Sequence, residues 1–277
     1  IKNKKHVVTA NKEVMSKHKE TFFKLAKENQ VDIYFEAAVG GGIPLIRALK
    51  VGFSANKING FYGILNGTTN YILTKIEEEK KPFEEILKRA QDLGFAEADP
   101  TMDISGLDTA YKLDILAAVA FKTDIQLSNI AYEGIEKITL KDIENAKSFG
   151  YKIKLLAIGR AHQDNSMTFK VHPTLIPKDH PLAGIHNEIN AIFLMGDSVG
   201  DAMLSGRGAG GDPTASAVLS DVIDIAFDNK TLTRRNLEEQ LSPIPLKPMS
   251  ETESQFYLRL TTPDTPGILE QITAILS

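Results

Sequence analysis

The chain has 277 residues, room for one large domain or two ordinary ones, and 42% of them are hydrophobic and 25% charged, the balance of a globular protein. It carries 32 Lys and Arg against 36 Asp and Glu, a net charge of −4, which excludes a nucleic-acid binder driven by bulk charge. There is no cysteine, so disulfides, thiolate metal sites and cysteine nucleophiles are excluded, and no apolar run is long enough to span a membrane.

His6–Lys12 reads as a short strand running into a turn, with Asn11 capping a helix from Glu13 to about Asn29. A strand–helix start of this kind looks like the interior of an α/β unit. Val31–Glu36 is a second strand; it enters the turn Ala37–Pro44 and then a helix to about Val51. Ile58–Leu65 is a strand, and Asn66–Asn70 opens the next helix. Pro82–Leu93 is amphipathic and helical, with Gly94 suited to its C-cap. Asp103–Phe121 is expected as one long apolar helix. A helix at Leu140–Gly150 follows, and strands are expected at Asn129–Ile135, Lys152–Gln163, Thr168–Pro173 and Ala191–Met195. Gly206–Gly211 is a glycine-rich turn leading into the helix Ala215–Phe227. Asp228–Glu251 is polar and punctuated by proline, which reads as a linker. From Phe256 onward the chain reads as one strand, a turn and most of a helix; two such elements cannot bury their own faces, so they belong to a larger unit. The mixture predicts an α/β fold, with an α+β domain built on a mixed sheet.

The stretch richest in chemistry is residues 90–112. Glu97, Asp99, Asp103 and Asp108 fall within twelve residues, interleaved with Gly and Pro. Asp108 and Lys112 are four apart, on one face of a helix. A solvated ion pair would look the same. The nearly all-apolar run Leu113–Phe121 after Lys112, however, makes this lysine a candidate proton donor with an anchoring carboxylate. Glu36 stands at a strand end before Gly40, Gly41 and Gly42, where its carboxylate and the carbonyls of the turn suit a hard cation; a plain strand-to-helix turn is the alternative. Asn66-Gly67-Thr68-Thr69-Asn70 and Gly206–Gly211 each precede a helix, where backbone N–H groups suit an anion. His172, His180 and His186 have no zinc spacing.

Taken together these segments resemble homoserine dehydrogenase. The resemblance runs through Ala90-x3-Gly94-Phe95-Ala96-x2-Asp99-Pro100-x2-Asp103-Ile104-x-Gly106-x-Asp108-x3-Lys112. Val8–Lys12, Glu36–Pro44, Gly63–Leu73 and Gly206–Ala215 match in the expected order, so that residues 1–235 are covered. Phe256 onward resembles the opening of an ACT domain, a regulatory module.

The resemblance implies an NAD(P)-dependent oxidoreductase that interconverts L-homoserine and L-aspartate 4-semialdehyde, in threonine, methionine and isoleucine synthesis. It also implies a cytoplasmic homodimer. The implied domains are a remnant of a Rossmann-type nucleotide-binding domain (1–30), a catalytic and dimerisation domain with helices on one face of its sheet (31–205), and a segment returning to the first domain (206–235). A linker (236–254) and the start of an ACT domain (255–277) complete the chain, the last with an amino-acid effector. Lys112 matches the proton-transferring lysine, and Asp108 its partner and a substrate ligand. Glu97 matches the grip on the substrate's amino group. Lys12 and Gly210 match cofactor-binding positions, NADP or NAD. Glu36 with the carbonyls of Val39, Gly41 and Ile43 matches a sodium site. The glycine fingerprint of the cofactor half is not among these residues. That motivates a second reading, a non-catalytic dimerisation and effector-binding piece.

Overall fold

The computed structural model describes residues 1–227 and 241–276. Most of the turns and caps follow from local chemistry. Asn11 caps helix α1 (Lys12–Asn29) by accepting the Val14 N–H at 3.0 Å. Strand β1 (Val7–Val8) leads into α1, and β2 (Ile33–Tyr34) follows it and pairs with β1 in parallel. In this unit the helix supplies the crossover that parallel strands need. The pairing places Ile33 and Tyr34 with β1, beyond the boundary at residue 30 expected from the sequence.

After β2 comes a 3-10 turn at Glu36–Ala38, then the glycine turn, then the short helix α2 (Leu45–Arg47) continued by a wider turn at Ala48–Gly52. Gly40 and Gly41 have φ of +76° and +51°. A Cβ on Gly41 would lie 2.5 Å from the Gly208 carbonyl oxygen, so this turn closes directly on the second glycine loop.

The main sheet has six strands in the order β4-β6-β5-β3-β7-β8. They are β3 (Ile58–Ile64), β4 (Ala131–Tyr132), β5 (Tyr151–Ala161), β6 (Met167–Pro177), β7 (Ile189–Gly196) and β8 (Asp201–Arg207). All pairs are antiparallel except β4–β6, which makes the sheet mixed as expected. Helices α3 (Gly67–Glu79) and α6 (Leu107–Phe121) cover one face. The core there includes Phe61, Ile72, Ile76, Leu113 and Leu116, all under 1% exposed, and Phe121 bridges the Phe61 and Phe169 rings. The opposite face carries a smaller cluster, with Ile64, Leu156, Ile158 and Phe193 gathered around Leu182 of the 3-10 turn Pro181–Gly184.

Helices α4 (Phe83–Asp92), α7 (Leu140–Ser148), α8 (Gly211–Ala226) and α9 (Ile268–Leu276) lie close to where the sequence puts them. Four expectations fail. The helix expected over Asp103–Phe121 is broken into α5 (Thr101–Ile104) and α6 by Gly106, whose φ is +85°. Strand β8 was not expected. Residues 241–247, expected as linker, are tied to the body: Ser242 N–H donates to the Lys122 carbonyl, and Met167 and Lys247 N–H groups bond across to Pro245 and Met167 carbonyls. Phe256–Thr262 forms no strand. The rest of the expected linker, residues 228–240, lies outside the described residues.

Candidate active site

The break at Gly106 builds the site. A Cβ on Gly106 would sit 3.1 Å from the Glu133 carbonyl, so the chain turns tightly here between α5 and α6. The turn brings Asp103, at the end of α5, beside Asp108, in the first turn of α6. A carboxylate near a helix N-terminus is also favoured by the helix dipole.

Asp108 is 2% exposed and lies between two ammonium groups. Its Oδ1 is 2.7 Å from Lys12 Nζ, and its Oδ2 is 2.7 Å from Lys112 Nζ. Burial pushes the Asp108 carboxyl up, but Lys112 and Lys12 outweigh it and hold the group down at about 2. Lys112 also donates to the Leu65 carbonyl at 2.7 Å, at the end of β3. That uses two of its three protons. Burial opposes charge on Lys12, yet Asp108, helped by Asp103 and Glu97, raises its pKa above the ordinary lysine value. Lys12 remains partly open to solvent, its side chain 37% exposed.

Asn66 joins the two carboxylates. Its Nδ2 donates to Asp103 Oδ1 at 2.7 Å and to Asp108 Oδ2 at 2.8 Å. Its Oδ1 caps α3 by accepting the Thr69 N–H at 2.8 Å. Thr68 Oγ1 donates to the Phe95 carbonyl at 2.6 Å and lies 3.2 Å from Asp103 Oδ2. Burial, with Asp108 adding to it, pushes Asp103 above the usual carboxylate value. Glu97 is exposed on the 93–100 loop, within electrostatic reach of Lys12. Asp99 turns away to start α5, accepting from Thr101 N–H and Oγ1.

The structure therefore brings together Lys12, Asp108, Lys112 and, at the rim, Glu97. Gly210 lies at the start of α8 with φ +118°. Glu36 lies apart from the lysines: its two oxygens each accept an N–H, from Ile46 and Arg47 at 2.8 Å, at the start of α2. Its own N–H donates to Asp221 on α8 at 3.0 Å. Burial is the main cause that pushes Glu36 up to about 7 and Asp221 to about 6.

Sequence reasoning read Asn66 only as part of a helix start that suits an anion, and gave no individual role to Asp103, Asp221 or Asp114. Asp114 was readable as the single carboxylate in the otherwise apolar run Leu113–Phe121, a pattern that signals a buried partner.

Residues 44–223 match the family model described as homoserine dehydrogenase. The chain is 45% identical over 279 residues to the homoserine dehydrogenase of Bacillus subtilis (strain 168), covering all of this chain and 64% of that protein. It is 46% identical over 277 residues to the homoserine dehydrogenase of Helicobacter pylori, covering all of this chain and 65% of that one. A crystal structure of a homoserine dehydrogenase from Thiobacillus denitrificans superposes with a TM-score of 0.89 at 41% identity, over 98% of this chain and 64% of that one. A hyperthermophilic archaeal homoserine dehydrogenase in complex with NADPH superposes with a TM-score of 0.70 at 29% identity, over 80% and 64%. The chain thus spans a little under two thirds of the length of these relatives, and it belongs to the homoserine dehydrogenase family.

Proposed function

We propose that this chain supplies the substrate-binding and proton-transfer machinery of an NAD(P)-dependent homoserine dehydrogenase, interconverting L-homoserine and L-aspartate 4-semialdehyde for threonine, methionine and isoleucine synthesis. The observation that carries this reading is the line of ion pairs Lys12–Asp108–Lys112 beside Asp103 and Glu97. Reduction of an aldehyde needs a proton delivered to the oxygen as charge develops there. Lys112 holds two of its protons on Asp108 and the Leu65 carbonyl, and directs the third at that oxygen. In oxidation the neutral Lys112 takes the hydroxyl proton back. Asp108 keeps Lys112 aimed, and orients the substrate with Lys12. Glu97, exposed at the rim, takes the substrate's ammonium group.

When bound, the nicotinamide cofactor supplies or takes the hydride. Its fit rests on the Gly208–Gly211 loop: Gly210 holds a backbone open only to glycine, and the first turn of α8 offers N–H groups to an anion. Lys12, partly open to solvent beside Asp108, adds a cation. The β1–α1–β2 unit with α8 against β1 is the piece of the nucleotide-binding domain present, α8 being the returning segment. Leu219, Val222 and Ile223 stand exposed on α8, an apolar face that suits a further layer of that domain. Glu36 with the carbonyls of Val39, Gly41 and Ile43 would hold sodium; the donors are all oxygen, as a hard cation requires, and the positive φ of Gly40 and Gly41 curls the turn.

The protein acts as a cytoplasmic homodimer in this reading. Tyr62, Phe193, Met195 and Met203 on the less covered sheet face support it, and no helix among the described residues is long and apolar enough to cross a membrane. The 255–277 segment carries an amino-acid effector module; Tyr257 and Arg259 hold it to Asp142 of α7. The test is NADPH oxidation with L-aspartate 4-semialdehyde, on this chain and on one extended upstream through a dinucleotide-binding unit. Turnover in the extended protein is expected. A folded extended protein that binds NADPH and turns nothing over ends this reading.

A further inference from the structure

Helices α1 and α6 run side by side and are joined at two points. The first is the Lys12–Asp108 pair at the site, 2.7 Å apart. The second is sealed in the interior: Lys19 is 4% exposed and Asp114 is fully buried. Lys19 Nζ donates to both oxygens of Asp114 at 2.9 Å and to the Ile125 carbonyl at 2.7 Å, with Asp124 at 3.3 Å. Ser16 Oγ donates to the same carboxylate at 2.6 Å. Burial here is strong enough to push Asp114 above its ordinary value even against Lys19.

Such a pair adds little stability over apolar side chains of the same volume, because dehydration offsets most of the attraction. It does specify register. Lys12 and Lys19 are separated by about 10 Å along α1, and Asp108 and Asp114 by about 9 Å along α6, so the two pairs form matched rungs between parallel helices. A slip of one turn, about 5.4 Å, would strand two charges in the core. Lys12 is the first residue of α1 and partly exposed, so nothing at its own end confines it as firmly.

We propose that Lys19 and Asp114 are positioning residues: the buried rung sets the register of α1 on α6 and so places the Lys12 ammonium on the Asp108 carboxylate. The proposal rests on the dehydrogenase reading for its catalytic consequence, and on the helix pair alone for its geometry. The experiment compares the complete enzyme with the Lys19→Met/Asp114→Leu variant, which puts apolar side chains of similar length in place of both charges, and with each combined with Lys12→Met.

The Lys19→Met/Asp114→Leu protein is expected to melt close to the parent while kcat falls about tenfold or more, since a small misplacement at a reacting centre is costly. Lys12→Met added to it should cost less than about twofold further, because the two changes disable the same contact. Full multiplication of the two losses, or an unchanged kcat, overturns the proposal. Amide hydrogen exchange over residues 12–19 is read in parallel, without turnover; faster exchange is expected in the variant, and unchanged exchange overturns the proposal. If the parent itself shows no dehydrogenase activity, the functional reading fails and the exchange result still decides the geometry. Lys19→Arg alone, which keeps a cation opposite Asp114, should hold kcat closer to the parent than Lys19→Met/Asp114→Leu does.

Discussion

Asp108 and Glu36 are buried almost equally, at 2% and 5% exposure, one at the head of α6 and the other against the head of α2. Burial pushes both carboxyls up. At Asp108 two ammonium groups reverse that push and hold it at about 2. At Glu36 the opposing groups are chiefly the backbone N–H groups of Arg47 and Ile46, while Asp221 adds a like charge, and the carboxyl rises to about 7. The lesson is that the counter-charge, and not the depth, decides what a buried acid does. A permanent anion can aim a proton donor. A buried carboxyl held chiefly by backbone N–H groups, with a like charge beside it, titrates near neutrality instead.

Removing one of the two ammonium groups is the strongest way to break that contrast. In the complete enzyme, Lys112→Ala leaves Asp108 anchored by Lys12, so the fold should survive while kcat drops about 10³-fold, the usual weight of a general acid. Steady-state kinetics beside a thermal melt checks this. Retention of most of the activity would remove Lys112 from the chemistry.

A second break acts on the corner that puts Asp103 next to Asp108 and leaves Glu36 untouched. A Cβ on Gly134 would lie 1.8 Å from the Ile104 carbonyl oxygen and 2.5 Å from the Ser105 Cα. Backbone cannot yield there as a side-chain tip would. Gly134→Ala should therefore cost about 3 kcal/mol in urea unfolding, the upper range for overpacking. A midpoint within error of the parent would mean that the corner is looser than its contacts state.

Much of this arrangement was legible beforehand. Asn11 and Asn66 announced their helices because a short polar side chain before an apolar period is a capping signal. Asp108 and Lys112 fell on one face by spacing alone. The break at Gly106 was not legible, because a lone glycine inside an apolar period is compatible with a continuous helix until Glu133 is known to press on it. Strand β8 was hidden for a related reason: its alternating half-buried residues lie at a sheet edge, and Gly206 and Ser205 weaken the signal. Lys12 on Asp108 joins residues 96 positions apart, and only the resemblance pointed to Lys12; periodicity says nothing about such pairs. The double role of Asn66 belongs to the same class.

The contrast also has a pH signature with opposite signs. Asp108 has a folded pKa of about 2 against an ordinary 3.8. The stability it contributes, roughly 2 kcal/mol, is complete above about pH 4 and is lost as pH falls through 2. Glu36 and Asp221 have folded values of about 7 and about 6, above their ordinary 4.5 and 3.8. Their protonated forms favour the fold, so that contribution is complete below about pH 4 and is lost as pH rises through 6 and 7. Urea midpoints should decline between pH 5 and 8, and Glu36→Gln should flatten the decline. Sodium in place of tetramethylammonium at equal ionic strength should restore the midpoint at pH 8. If it does not, the sodium assignment at Glu36 falls.

The smallest effect expected is also the one that separates two jobs held by one side chain. Asn66→Ala removes the cap on α3, worth about 1 kcal/mol, or a few degrees in Tm for a chain of this size. It also withdraws the N–H donor shared by Asp103 and Asp108. Asp108 keeps its two lysines and stays ionised, but Asp103, already raised by burial, rises further. Asn66→Asp keeps an acceptor for the Thr69 N–H and puts a third carboxylate where the donor was. The two substitutions should therefore diverge with pH: the Ala protein loses about the same at pH 5 and pH 8, and the Asp protein loses more at pH 8, where all three acids press for ionisation. Identical pH profiles would mean that Asn66 serves α3 alone and that Asp103 and Asp108 need no shared donor to lie side by side.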